Sequence, residues 1–255
     1  MTVPLKILLS NDDGIYSDGI YALWQAMSEI GEVTVVAPVT EKSAAGHSIT
    51  IADPIRIEEI TRAGGFKGFA VGGTPADCVK IAVGALLNEP PDIIVSGINA
   101  GANVGGNILY SGTISAATEG TIRNIPSLAI SLDSITGGDL SGAKEIAKTV
   151  VRSILKNGLP QGTLLNVNIP NLPASEIRGY KITHQGKLYF KDSFDKREDP
   201  RGRTYYWMTG KIVNNDTDIE SDGNVLADGY VSITPINFQI TDKSFIGNLK
   251  SWTFD

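Results

Sequence analysis

The apolar run Leu5-Lys6-Ile7-Leu8-Leu9 stops at Asn11-Asp12-Asp13-Gly14, and apolar residues then return at helical spacing as Ile20, Leu23, Trp24, Met27 and Ile30. A strand, a polar loop and a helix in that order constrain the fold more than any other feature of the chain. The alternation repeats. Residues 33–37, 92–96, 128–132 and 164–169 read as further short apolar strands. Helical spacing recurs from Thr74-Pro75 to about Leu87, at 114–120 and at 143–156, the last closed by Gly158. Strands separated by helices need crossover connections, so they form a parallel sheet with both faces covered. The pattern predicts an α/β, doubly wound architecture in which polar loops gather at the carboxyl edge of the sheet.

After Pro170 the pattern changes. Strand-like pieces fall near 180–184, 203–208 and 229–234, and residues 191–203 are dense in charge. That stretch reads as a solvated loop or hairpin, or as a protruding arm exchanged between subunits. The expected organisation is a core over residues 1–170 and a β-rich extension over 171–255 that packs on it.

With 255 residues and an apolar fraction of 42%, the chain can bury a real core. A net charge of −6, with both signs interspersed, gives no global attraction to nucleic acid or anionic lipid. Neither partner is expected. An anionic substrate must then be held locally, by a cation, by backbone N–H groups or by a few side chains. The single cysteine, Cys78, forms no intramolecular disulfide and falls on the apolar side of a helix, as a small core residue does. No signal-peptide pattern or membrane-length apolar stretch is present, so a soluble, cytoplasmic protein is expected. Only His47, His184 and Cys78 could supply nitrogen or sulfur ligands, which disfavours zinc. A bound metal would be held by oxygen, as magnesium, manganese or calcium are.

Asp12 and Asp13 are adjacent carboxylates at the end of a buried strand. They repel one another and lose hydration, and a divalent cation would offset both costs. Read alone, the pair fits a turn, a helix-start cap and a metal site alike. Two more polar loops follow two more strands. One carries Ser43 and His47. The other runs from Gly97 through Asn99, Asn103 and Asn107 to Ser111-Gly112-Thr113, where a helix begins. Its glycines let backbone approach a ligand, and the helix start offers unpaired N–H groups to a phosphate. The same loop also reads as a flexible surface segment ending in a helix cap. Walker A lacks its lysine, the dinucleotide glycine motif is displaced by Asp12-Asp13-Gly14, and no G-x-S-x-G elbow occurs.

Six segments together resemble the SurE family of metal-dependent nucleotide phosphatases: Ile7 to Gly14, Val36-Ala37-Pro38 with Ser43, Gly73-Thr74-Pro75-Ala76-Asp77-Cys78-Val79, Ser96-Gly97-Ile98-Asn99 through Gly112-Thr113, Leu165-Asn166-Val167-Asn168, and Gly229 to Pro235. They span almost the whole chain. The resemblance implies a Rossmann-like core with a C-terminal β-rich extension. It implies one divalent cation per subunit, magnesium or manganese, on Asp12, Asp13, Ser43 and Asn99. Asp12, Asp13 and Asn99 would be catalytic, with Asn11, Asn103, Ser111, Gly112 and Thr113 around phosphate or substrate. The implied reaction is hydrolysis of nucleoside monophosphates by metal-activated water, with short polyphosphate a further substrate of some members, in a homodimer or homotetramer. Two departures stand out: Ala44 replaces the family's usual glycine after the serine, and Asn107 stands where aspartate is common. Two rival readings remain at this stage. A haloacid-dehalogenase-type phosphatase would use an aspartyl nucleophile but expects D-x-D rather than adjacent acids. A sensor would bind nucleotide or polyphosphate without cleaving it.

Overall fold

The computed structural model describes residues 4–254. Its eleven strands are β1 (Lys6–Ser10), β2 (Glu32–Pro38), β3 (Ile57–Thr61), β4 (Lys67–Val71), β5 (Ile93–Ala100), β6 (Ser127–Leu132), β7 (Thr163–Ile169), β8 (Tyr180–Ile182), β9 (Tyr189–Glu198), β10 (Thr204–Val213) and β11 (Val231–Asn237). The helices are α1 (Asp18–Ser28), α2 (Pro75–Ile81), α3 (Gly112–Ile122), α4 (Leu140–Asn157), α5 (Asp222–Ala227) and α6 (Ile246–Leu249).

Nine strands form one mixed, mostly parallel sheet in the order β3-β4-β2-β1-β5-β6-β7-β11-β8. β1 lies between β2 and β5, parallel to both. The chain leaves β1 toward β2 on one side and later returns to β5 on the other, so the β1–β5 edge is a topological switch point. Ligands of open α/β sheets bind in the crevice at such a point.

Alternation in β1 shows why the sheet is covered twice. Ile7 and Leu9 pack with Ile20, Leu23 and Met27 of α1 and Val150 of α4. Leu8 faces the other way, onto Cys78, Val79 and Ala82 after β4 and Ala116 of α3. Cys78 is fully buried, as a core residue should be. Each of the leucine, isoleucine, valine and methionine side chains among these, moved from water into the core, contributes on the order of 2 kcal/mol.

Three elements differ from expectation. The helix from Pro75 is regular only to Ile81 and then widens into a π turn, Ala82–Leu86. β4 has no match among the expected strands: Lys67-Gly68-Phe69 hides its apolar period. The sheet also does not stop at Pro170. β11 pairs antiparallel with β7, and β8 pairs with β11. The extension therefore lengthens the core sheet. Only β9 and β10 stand apart, as an antiparallel hairpin with ten paired positions.

Candidate active site

The loops that follow β1, β2 and β5 meet at the switch point. Asp12 is almost fully buried. The hydroxyl of Thr113 donates to its Oδ1, and the backbone N–H groups of Gly112 and Thr113 also face the carboxylate. A Cβ on residue 112 would lie 2.7 Å from the Cβ of Asp12, so only glycine admits this approach. The start of α3, expected to hold phosphate, is thus aimed at Asp12. Burial pushes the Asp12 carboxyl above its ordinary value, and these donors oppose the shift.

Asp13 has less internal support. Its Oδ2 accepts from the Ala100 N–H at 3.2 Å. Burial, then the negative charge of Asp12, push its carboxyl up to about 6, and Glu41 adds to the rise. Asn11 donates to Gly14 O and Ser17 Oγ, which shapes the turn, while its Oδ1 is buried without a partner. Asn99 stands at a register shift between β5 and β6, where an irregular strand re-aims a side chain. Its amide donates to Gly101 O at 2.7 Å, which leaves the carbonyl oxygen for a ligand.

The 39–50 loop is fastened to this rim. Lys42 N donates to Asp12 O, and Gly46 N to Tyr110 O. Thr74 Oγ1 donates to Ser48 O, and Thr50 donates through its N–H and hydroxyl to Asp77. Burial opposes the ionised form of Asp77, but the Thr50 and Thr74 donors outweigh it and hold the carboxyl below its ordinary value. His47 contacts Glu119 at 3.3 Å, in a cluster with Lys80 and Arg123. Ser43 is exposed on the loop, and its hydroxyl donates to Glu41 at 2.6 Å. Ala44 adopts φ 56°, the left-handed region where glycine is at ease and alanine is strained.

Asp13 and Asn99 line one cavity, Asp12 sits next to Asp13 but turns to the start of α3, and Ser43 lies on the adjoining loop. Ser111 instead caps α3, accepting from Ile114 N. Asn103 is turned inward. Its backbone N–H donates to Asn168 and its side-chain amide to Ser131, and its backbone carbonyl accepts from Asn166 and Asn168. Sequence reasoning missed these braces, although two asparagines alternating inside a buried strand, Asn166 and Asn168, are a signal that something polar must meet them. It also missed Asp222, which is fully buried and accepts from Gly105 N and Gly186 N at 2.9 Å each and from Gly223 N. That carboxylate ties the glycine loop to the C-terminal extension. Gly106 N, bonded to Leu188 O, reinforces the tie.

Among the described residues, no cationic side chain forms an ion pair with Asp12 or Asp13. No three His, Cys, Asp or Glu side chains converge among them either. The donor set is two carboxylates with amide and hydroxyl oxygens. Two acids raised by burial, an unpaired Asn11 Oδ1 and an all-oxygen set fit a hard divalent cation. A cavity of about 460 Å³ opens beside Asp13 and Asn99.

The family model for Survival protein SurE matches residues 7–192. The chain belongs to the SurE family. A 5'-nucleotidase SurE of Syntrophobacter fumaroxidans is 50% identical over 248 residues, 97% of this chain and 99% of that protein. One from Heliobacterium modesticaldum is 45% identical and covers 97% of this chain and 92% of its own. The crystal structure of the SurE protein from Aquifex aeolicus superposes with a TM-score of 0.83 at 39% identity, over 96% of this chain and 98% of that one. The sheet described above is thus set within the SurE architecture.

Proposed function

We propose that this chain is a divalent-cation-dependent phosphomonoesterase, a 5'-nucleotidase that converts nucleoside monophosphates to nucleoside and phosphate. The observation that carries this reading is the Asp12–Asp13 couple at the switch point, Asp12 buried and Asp13 half-buried beside a cavity, with no ion-pair partner among the described residues. The activity named for its full-length relatives agrees with it.

Asp12, Asp13 and Asn99 hold the cation, with Ser43 completing the oxygen set from the 39–50 loop. When bound, magnesium or manganese supplies Lewis-acid polarisation of a phosphoryl oxygen and makes water a better nucleophile. In the reaction a water oxygen bonds to phosphorus, the ester P–O bond breaks, and the departing oxygen takes up a proton. Asp12 is buried and bonded to Thr113, so it is poorly placed to attack phosphorus itself, which supports water as the nucleophile. Thr113 and the Gly112 N–H keep the Asp12 carboxylate oriented. The unpaired Asn11 Oδ1 is the acceptor left for a water or substrate hydroxyl. Asn103 and Ser111 act one step back, by fixing the loop that carries Asn99 and the start of α3.

The β9–β10 hairpin exposes Phe194, Tyr206, Trp207 and Met208. A two-stranded ribbon with apolar side chains in water is marginal alone and marks an interaction surface. This arm joins subunits into a homodimer or homotetramer. The buried free thiol of Cys78 suits the reducing cytoplasm.

A panel of nucleoside monophosphates, each with magnesium, manganese or chelator, tests the reading. Phosphate release that needs the cation is expected. Release that persists in chelator, or no release with any cation, overturns it.

A further inference from the structure

The 39–50 loop brings Ser43 to the rim, yet none of its residues is buried. Ala44, Ala45 and Gly46, which follow Ser43, have no polar side chain, and Ala44 and Gly46 adopt left-handed backbone at φ 56° and 55°. A segment of this kind keeps its course by hydrogen bonds rather than by apolar burial. On one side of Ser43, Lys42 N is bonded to Asp12 O. On the other, the first side chain to reach the body of the protein is that of His47, whose Nε2 lies 3.3 Å from Glu119 Oε2.

Glu119 is placed to receive it. It follows Gly112 by seven residues on α3, about two helical turns, so it shares the face that meets Asp12 and lies roughly 10 Å further along the axis. Its side chain is only 4% exposed. Its Oε1 accepts from Lys80 Nζ of α2 at 3.0 Å and from Arg123 Nε at 3.2 Å. Two cations on one oxygen already balance the charge, so Oε2 is left to serve the loop. Burial opposes ionisation of Glu119, but the contacts of His47, then Lys80 and Arg123, outweigh it and hold the carboxyl below its ordinary value. An ionised carboxylate only accepts, so the imidazole donates from Nε2.

We infer that the His47–Glu119 contact is a latch that sets the place of Ser43 at the rim, and that both side chains are positioning residues for the phosphoryl cleavage proposed above. The inference rests on that reading for the role of Ser43. The hold on the loop itself is measurable without cation or substrate. Partners that orient an oxygen ligand from outside the metal's contact shell alter cation affinity or rate by about ten- to a hundredfold.

The test compares His47→Ala, which removes the donor, with His47→Gln, whose amide can donate from a similar place. His47 stands on a surface loop, so neither change disturbs the core. In chelator, amide hydrogen exchange at Gly46 and Thr50, whose N–H groups are bonded to Tyr110 O and Asp77, should quicken about tenfold in His47→Ala and return toward the original rate in His47→Gln. The manganese concentration that half-saturates binding, read by electron paramagnetic resonance, should rise about tenfold in His47→Ala, and kcat for adenosine monophosphate at saturating manganese should fall about fivefold. In a Glu119→Ala background, His47→Ala should cost less than about twofold more, because the two act through one contact. The two His47 variants decide alone if Glu119→Ala unfolds. The inference is overturned if exchange at Gly46 and Thr50 is unchanged in His47→Ala, or if manganese affinity and kcat both stay within about twofold of the unsubstituted chain. It is equally overturned if His47→Gln is as impaired as His47→Ala, a result that would give the imidazole a chemical role. No phosphate release by the unsubstituted chain with any cation refutes the phosphatase reading instead, and the exchange rates then judge the latch by themselves.

Discussion

The carboxylate rim and the β9–β10 arm are opposites. At the rim, carboxylates are buried or half-buried with no ion-pair partner among the described residues. On the arm, apolar side chains stand in water with no core beneath them. Each arrangement is unfavourable in isolation, the first through desolvation and the second through exposed apolar area. On the function proposed above, each would be relieved by something the folded chain does not itself supply: a cation at the rim, another subunit at the arm. Asp222 lies between them, because it bonds the glycine loop of the site to Gly186 at the base of the arm.

Substitutions separate the two regions. Asp13→Asn removes a rim charge and should lower kcat/KM for nucleoside monophosphates on the order of a thousandfold in cation-saturated buffer, with an unchanged far-UV spectrum. An unchanged rate removes Asp13 from the chemistry. Asp222→Ala strands buried N–H groups and should cost about 3 kcal/mol in urea unfolding, together with a lower kcat. A loss below about 0.5 kcal/mol would mean that the loop and the arm are not joined through this carboxylate. The pair Phe194→Lys and Trp207→Lys should lower the assembled mass in sedimentation, yet change the stability of the separated chain by no more than about 0.5 kcal/mol. An unaltered mass would relieve the arm of its role.

Much of this contrast was legible in the sequence. Asn11-Asp12-Asp13-Gly14 after an apolar run pointed to the rim only in company with the polar loops after two other strands, because alone the pair fits a turn or a cap as well. The doubly wound sheet was legible because β1, β5 and β6 are buried on both faces and read as unbroken apolar runs. Less legible was what depends on pairing over long separations. Asn103 looked like a phosphate ligand because asparagine in a glycine loop suits one; the distant Asn166 and Asn168 show that its backbone N–H and carbonyl are also braced inside. Asp222 looked like one acid among several, and its partners lie up to 117 residues away. The arm was visible as charge, yet its exposed aromatics became meaningful only once no core was found against them.

Smaller effects refine the rim. Asp13 titrates at about 6 in the folded chain and in the ordinary carboxylate range, about 4, when unfolded. A raised carboxyl favours the folded state fully below the lower value, and that contribution is lost as pH rises through the upper one. In chelator, the stability of Asp13→Asn relative to the unsubstituted chain should therefore be greater near about pH 7.5 than near about pH 4.5, as calorimetry at the two values would show. Equal differences would mean that Asp13 is not held up by burial. Smallest of all, Ala44→Gly relieves the left-handed backbone of the 39–50 loop and should raise the melting temperature slightly, by the equivalent of about 0.5 kcal/mol. A fall would show that alanine fits this turn without strain.

Direct manganese binding, followed by electron paramagnetic resonance on the unsubstituted chain and on Asp13→Asn, bears most closely on the reason the two acids are buried together. One ion per chain is expected, with affinity declining as pH drops below about 6 and largely lost in the variant. Equal binding by both chains, or none by either at millimolar manganese, would contradict the account.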